Sequence, residues 1–330
     1  MIKNICLLLI SLFLFSACSA KSKYEPKAVL KTLKYSADMK STLGTVSRDG
    51  ATYDNGMSIS TKRGLLKHKL EKDFRFVYDS GSEILASRED GTVRVLREGE
   101  TRFEHKFDFA LAAGAIHNNL LALVLSNNTL LLYDMRAKKE LYREALEPTF
   151  ANDARLANPL FLNDLVIFPT LDGRLLIMDT RRKTIVRDVA ISDTELFNNV
   201  IFLKAKNNIL VAATASKVIV INPQRIYTKR IDVKDVLYDK NILYIFTKTG
   251  KILLTDLRLD VKKELKFPFA IFSAVMGTDK LYVVEKSGYL IEVDKNLENY
   301  KVYALPSEIN KPIFAFKNRL FFGQHFLKIK

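Results

Sequence analysis

The residues able to do chemistry in this chain are few, and their spacing restricts what that chemistry is. The two cysteines, Cys6 and Cys18, both lie near the N-terminus, so nothing after residue 18 can form an internal disulfide or build a cysteine zinc site. The four histidines, His68, His105, His117 and His325, are far apart, and none has the close-spaced partner of a metal site. Asp134, Asp179, Asp256 and Asp294 suggest a ring of carboxylates until their context is compared. Each follows an apolar strand at the same point of a repeated pattern, which predicts that each caps its own turn. No Gly-x-Ser-x-Gly elbow, phosphate loop or His-Glu-x-x-His segment occurs. This inventory predicts no catalytic set, no metal and no cofactor, and leaves Cys18 as the reactive side chain of interest.

Cys18 closes a run that begins after Lys3 and stays apolar from Ile5 to Ala17, broken by Ser11 and Ser16. Thirteen residues are too few to span a bilayer as a helix, which takes about 20, but they suit a signal-peptide core. The sequence Phe15-Ser16-Ala17-Cys18 resembles the lipobox of bacterial lipoproteins, with Phe15 where Leu is usual. That resemblance implies a signal peptide over 1–17, a lipid on Cys18 and a protein of the bacterial envelope. Ser19, not Asp, follows the cysteine, which by analogy with enteric sorting implies the outer membrane, with the domain facing the periplasm. The alternative is an ordinary secretory signal with an incidental Cys18.

Export changes the meaning of the charge. The 330 residues carry 52 Lys+Arg against 37 Asp+Glu, a formal net charge of +15, of which +14 remains once Lys3 leaves with the signal. Such a balance in an intracellular protein suggests nucleic acid. In the envelope the acidic partners are lipid headgroups, lipopolysaccharide, cell-wall polymer or an acidic protein, unless the lysines serve solubility alone. A basic tether over 18–41 follows the anchor, with Lys21, Lys23, Lys27, Lys31, Lys34 and Lys40 against Glu25 and Asp38. Its lysines suit a headgroup surface.

The remainder is periodic. An apolar strand, a short Gly/Asn/Ser turn, a second apolar strand and an Asp or Asn recur with turn residues at 91, 128, 173, 216, 250, 288 and 325. Two further short strands fit between successive turns, as in Glu140-Leu-Tyr then Leu160-Phe-Leu. Four strands per interval of about 40 residues predict an all-β propeller of four-stranded antiparallel blades. Such blades bury their faces only against neighbours and must close into a ring. The pattern predicts seven blades over 42–330, with 42–73 either a closing segment or a degenerate eighth blade. The chain stops after the second strand of the last hairpin, so an N-terminal segment must complete that blade, and Thr52 to Leu70 is the segment expected.

The strand–Asp–Lys unit, as in Tyr133-Asp134-Met-Arg-Ala-Lys138, resembles the PQQ-like repeat of bacterial propellers without its Gly and Trp. Quinoprotein dehydrogenases share this repeat, but the chain has no Trp and no cysteine pair, so their quinone site does not transfer. The other family with the repeat is BamB, the lipoprotein scaffold of the outer-membrane β-barrel assembly machinery. Resemblance to it implies a non-catalytic scaffold whose loops dock envelope proteins. The longest inserts are the places to expect docking: Arg143–Ala157, with Phe150 and Arg155, and Ser192–Asn199, with Leu196 and Phe197. A periplasmic enzyme of quinoprotein or hydrolase type, and a surface adhesin, are the competing readings.

Overall fold

The computed structural model describes residues 23–149, 152–192 and 197–329. Phe15, Ser16, Ala17, Cys18, Phe150 and Leu196 lie outside the described residues. The described chain folds into eight antiparallel four-stranded sheets. In ring order the blades span 43–65, 75–106, 111–145, 160–190, 202–230, 233–266, 272–304 and 313–328, the last completed by Ala37–Asp38.

The periodicity has a simple physical origin. Blades stack face to face, so the second and third strands of each are buried on both sides and read as continuous apolar runs. Glu83–Ser87 and Leu281–Glu285 are buried at every position, whereas the outermost strands Glu100–Lys106 and Val261–Lys266 are largely exposed. The core is accordingly a series of layers between blades. Leu85, Val93 and Val95 of the second blade pack on Leu121, Leu123 and Leu131 of the third. Val211, Val218 and Val220 of the fifth meet Leu243, Ile245 and Leu253 of the sixth.

The leading count of seven blades and the expected closing segment both need correction. The ring has eight blades, the alternative left open for 42–73, because 43–65 forms a complete if short blade of strands Leu43–Val46, Gly50–Tyr53, Ser58–Ser60 and Gly64–Leu65. Its residues Leu43, Ala51, Tyr53 and Ile59 pack on Phe314, Phe316 and Phe321, which closes the ring. Since Thr52 to Leu70 is used in building that blade, it cannot also complete the last one. The outer strand of the eighth blade is Ala37–Asp38, paired with Phe326 and His325. The joint is reinforced by Asp38 Oδ1, 2.7 Å from His325 Nδ1, and by Tyr35 stacked on the same imidazole at 4.1 Å.

Residues upstream of this strand form a strap along the ring. Leu30 and Leu33 donate backbone N–H groups to Val302 and Ala304, each at 2.8 Å, and Ala304 donates to Lys31 at 3.1 Å, so the strap runs parallel to the outer strand of the seventh blade. At its start Tyr24 is only 5% exposed, edge-on to Phe267 and Tyr289 at 6.1 and 5.6 Å.

Candidate binding face

Each blade runs from the ring axis outward, so its connections alternate between two faces. One face carries the turns between second and third strands and the crossovers from each outer strand to the next inner strand. These two sets of loops are stitched together by a repeated hydrogen bond. Phe107, Ile191, Phe267 and Leu305 begin crossovers and donate N–H groups to Gly91, Gly173, Gly250 and Gly288 at 2.8–3.0 Å. The glycines are needed: Gly91 sits at φ 89°, and a Cβ there would lie 2.3 Å from the Phe107 carbonyl oxygen.

The opposite face carries the remaining turns, and the repeated aspartates are there. Asp134 Oδ1 accepts from the N–H groups of Arg136 and Ala137 at 2.8 and 3.0 Å, and Asp179 Oδ1 from Arg181 and Arg182, both at 2.9 Å. Asp256 and Asp294 do the same in their own blades. They cap turns, as their spacing predicts, and do not converge.

The two long inserts are both crossovers, and the structure joins them. Asn199, fully buried, accepts from Asp153 N–H at 2.6 Å and donates to the Asp153 carbonyl at 3.0 Å. Ala157 N–H donates to the Val200 carbonyl at 2.9 Å. The inserts of the third-to-fourth and fourth-to-fifth crossovers therefore form one platform. Phe197 stands out from it, 48% exposed, with its backbone at φ 55°. Arg155 lies lower. It forks onto Asp153, with Nε 2.8 Å from Oδ1 and Nη2 against Oδ2. Burial pushes Asp153 up, but the Arg155 hydrogen bonds and charge, helped by Lys234, carry its carboxyl below the ordinary range. Lys234 is itself held below the usual lysine range, by burial first and then by Arg155.

A feature that sequence reasoning missed fills the ring axis. The first blade's inner hairpin is short, and its turn residues reach across the ring. Arg48 Nη1 bonds Asp235 Oδ1 of the sixth blade at 2.7 Å, Nη2 donates to the Ile201 carbonyl, and the guanidinium lies 5.7 Å from the Phe202 ring centre. Neighbouring Asp49 accepts from Asn158 Nδ2 at 2.7 Å, and Asn158 Oδ1 accepts from Gly114 N–H at 3.0 Å. Burial raises the Asp49 carboxyl above its usual range, against the lowering from Asn158 and Arg48. Nothing in the local sequence around Arg48 marks it, because its partners are more than 150 residues away.

Other side chains stand out on the crossover face. Phe109 is 45% exposed, Phe269 63%, and Ile271 is also exposed. They belong to two copies of one motif, Lys106-Phe107-Asp108-Phe109-Ala110 and Lys266-Phe267-Pro268-Phe269-Ala270, in which the first Phe is buried and the second displayed.

No family model matches the chain. Two sequences of the plasminogen-binding protein PgbB, from two strains of Helicobacter pylori, are similar throughout. One is 30% identical over 98% of this chain and 70% of that protein, the other 29% identical over 98% and 71%. Among solved structures, BamB from Moraxella catarrhalis superposes with a TM-score of 0.69, covering 90% of this chain and 99% of that one at 12% identity. Saccharomyces cerevisiae Sqt1 gives a TM-score of 0.63 over 92% of this chain and all of that one at 11% identity. At such identities these two likenesses are likenesses of fold.

Proposed function

The chain belongs to the family of the plasminogen-binding protein PgbB, and we propose from this premise that it is a lipid-anchored envelope scaffold whose propeller binds proteins. The ligand platform is the joined pair of inserts around Phe197, on the crossover face of the third to fifth blades. The observation that carries this reading is that Phe197, a large apolar side chain, is held out to solvent on a braced platform. Aromatic anchors of this kind dominate the energetics of protein interfaces.

The reading includes Cys18 as the lipid site, display at the outer membrane and no catalysis. In support of the last, Arg48 and its partners occupy the ring axis, the region where quinoprotein propellers hold their cofactor. Plasminogen is the first protein ligand to test, since the PgbB relatives carry it in their name. The barrel-assembly role implied by the repeat resemblance assigns the same platform a periplasmic partner instead.

One experiment separates these ligands. A photo-crosslinking residue is placed at Phe197, with Ala137 on the opposite face as control. The mature protein is offered plasminogen, and separately a detergent-solubilised envelope. Capture of plasminogen from position 197 and not from 137 supports the family-based ligand. Capture of the barrel-assembly protein supports the alternative. Failure of both, with the propeller folded, overturns the platform assignment.

A further inference from the structure

The strap fixes where the lipid leaves the ring. Cys18 precedes Tyr24 by six residues, and six extended residues reach at most about 20 Å. A compact domain of this size has a radius of gyration of roughly 20 Å and a diameter on the order of 50 Å. Tyr24 is locked between Phe267 and Tyr289 at the sixth-to-seventh blade junction, so the lipid attaches within reach of that sector and not of the far rim.

What surrounds that point suits a bilayer. Phe269 lines the same groove as Tyr24 and is exposed, held at φ 64°, and Ile271, two residues on in the same crossover, is exposed as well. Lys23, Lys27 and Lys266 are exposed around them. Of the nearby acids, Glu308 is paired with Lys23 at 3.5 Å, and Glu285 is buried beneath the loop, where it accepts from the Ile271 N–H at 3.2 Å, so Glu25 is the exposed carboxylate among the lysines of this groove. The other copy of the motif gives an internal comparison. There the residue between the two phenylalanines is Asp108, which engages Arg143, and no strap lysines adjoin it. Apolar tips ringed by lysines are the arrangement that inserts at an anionic headgroup layer, and it occurs at the copy next to the anchor.

We infer that the sixth-to-seventh sector of the crossover face, with Phe269, Ile271, Lys23, Lys27 and Lys266, rests on the bilayer that holds the Cys18 lipid. This rests on the anchored reading above. The Phe197 platform lies two junctions further round the same face.

The test uses the mature lipidated chain in vesicles of phosphatidylethanolamine and phosphatidylglycerol. Cys18 is consumed by its lipid, so Phe269→Cys offers one thiol for an environment-sensitive fluorophore. The label is expected to shift to the blue and to be quenched by doxyl-labelled lipid, while the same label at Ala137→Cys is not. Lys27→Glu with Lys266→Glu should reduce the quenching at least threefold. A lipidated chain that floats with vesicles but leaves position 269 unquenched overturns the orientation and spares the anchor. A chain without acyl mass that fails to float overturns both. A label at 269 that is shielded in whole envelopes but not in protein-free vesicles assigns the sector to a protein and overturns the bilayer contact.

Discussion

Tyr24→Ala tests the strap most directly. The side chain is almost fully buried, and burying a ring of this size contributes about 2 kcal/mol. Its edge-on contacts with Phe267 and Tyr289 add about 0.5 kcal/mol each. Tyr24 lines an open groove, so water refills the vacated space and the net loss is set at about 2 kcal/mol. That loss acts on local opening of the strap, because the ring closes separately through Ala37–Asp38. An energy of that size corresponds to about a 30-fold rise in the open population. The readout is amide hydrogen exchange. The N–H groups of Leu30, Leu33 and Ala304, which join the strap to the seventh blade, should exchange about 30-fold faster. The Met39 N–H, bonded to the Gln324 carbonyl on the far side of the closing strand, should keep its rate. Unchanged exchange at Leu30 and Leu33 would refute the strap as described. Equal acceleration at Met39 would refute its independence from ring closure.

Three further outcomes follow from the geometry. Arg48→Met leaves Asp235 without its cation and the Ile201 carbonyl without its donor; both ion-pair side chains are about one-fifth exposed, so the cost is about 2 kcal/mol, below that of a fully buried pair, read as a lower urea midpoint. Asp49→Asn concerns a carboxyl whose native pKa is raised, so its contribution to stability is complete below about pH 4 and is lost as pH rises through the native value. Asparagine keeps an acceptor for Asn158 and does not ionise, so the variant's advantage in urea midpoint should grow from pH 4 to pH 7, and a pH-independent difference contradicts the assignment. Phe197→Asn should raise stability by about 1 kcal/mol, since asparagine tolerates the left-handed backbone, and should weaken ligand capture at least tenfold; loss of both stability and capture would mean that Phe197 serves the fold.

The repeat was legible wherever burial required aliphatic side chains. Seven blades announced themselves because their middle strands are buried on both faces and a turn residue separates them. The first blade did not. Its Asn55-Gly56 turn stands 35 residues before Gly91, within the range of the other intervals, but its strands bury Thr52, Ser58 and Ser60 where the others bury Leu and Val. Hydrogen bonds satisfy these hydroxyls, with Thr52 Oγ1 accepting from Phe76 N–H at 2.8 Å and Ser60 Oγ donating to Asp79 at 2.5 Å, so a polar sequence occupies an interior place. The closing strand escaped for a different reason. Ala37 and Asp38 are both exposed and number only two, so there is no periodicity to read, and their place is set by backbone pairing with Phe326 and His325. Of the expected docking residues, Phe197 is displayed and Arg155 is turned onto Asp153, a distinction between neighbouring loops that composition does not encode.

The left-handed residues separate what the fold needs from what it displays. Leu259 and Leu297 adopt φ 66° and 56° in turns of the hairpin face, where a leucine costs about 1–2 kcal/mol relative to glycine. Both are nearly fully buried, and burial of a leucine, worth about 1.5–3 kcal/mol, offsets that cost. Phe197 and Phe269 adopt the same conformation on the crossover face, at φ 55° and 64°, and are about half and nearly two-thirds exposed. Burial returns much less there. Asparagine fills the equivalent conformation at Asn128, Asn163 and Asn241, so the less strained choice was open to this chain. Strain kept at a solvent-facing aromatic, and not relieved by packing, points to contacts made outside the fold. The two such residues sit at separate crossovers, one on the platform of joined inserts and one beside the strap. This is the arrangement expected if one sector of the face meets a protein and the other meets the membrane.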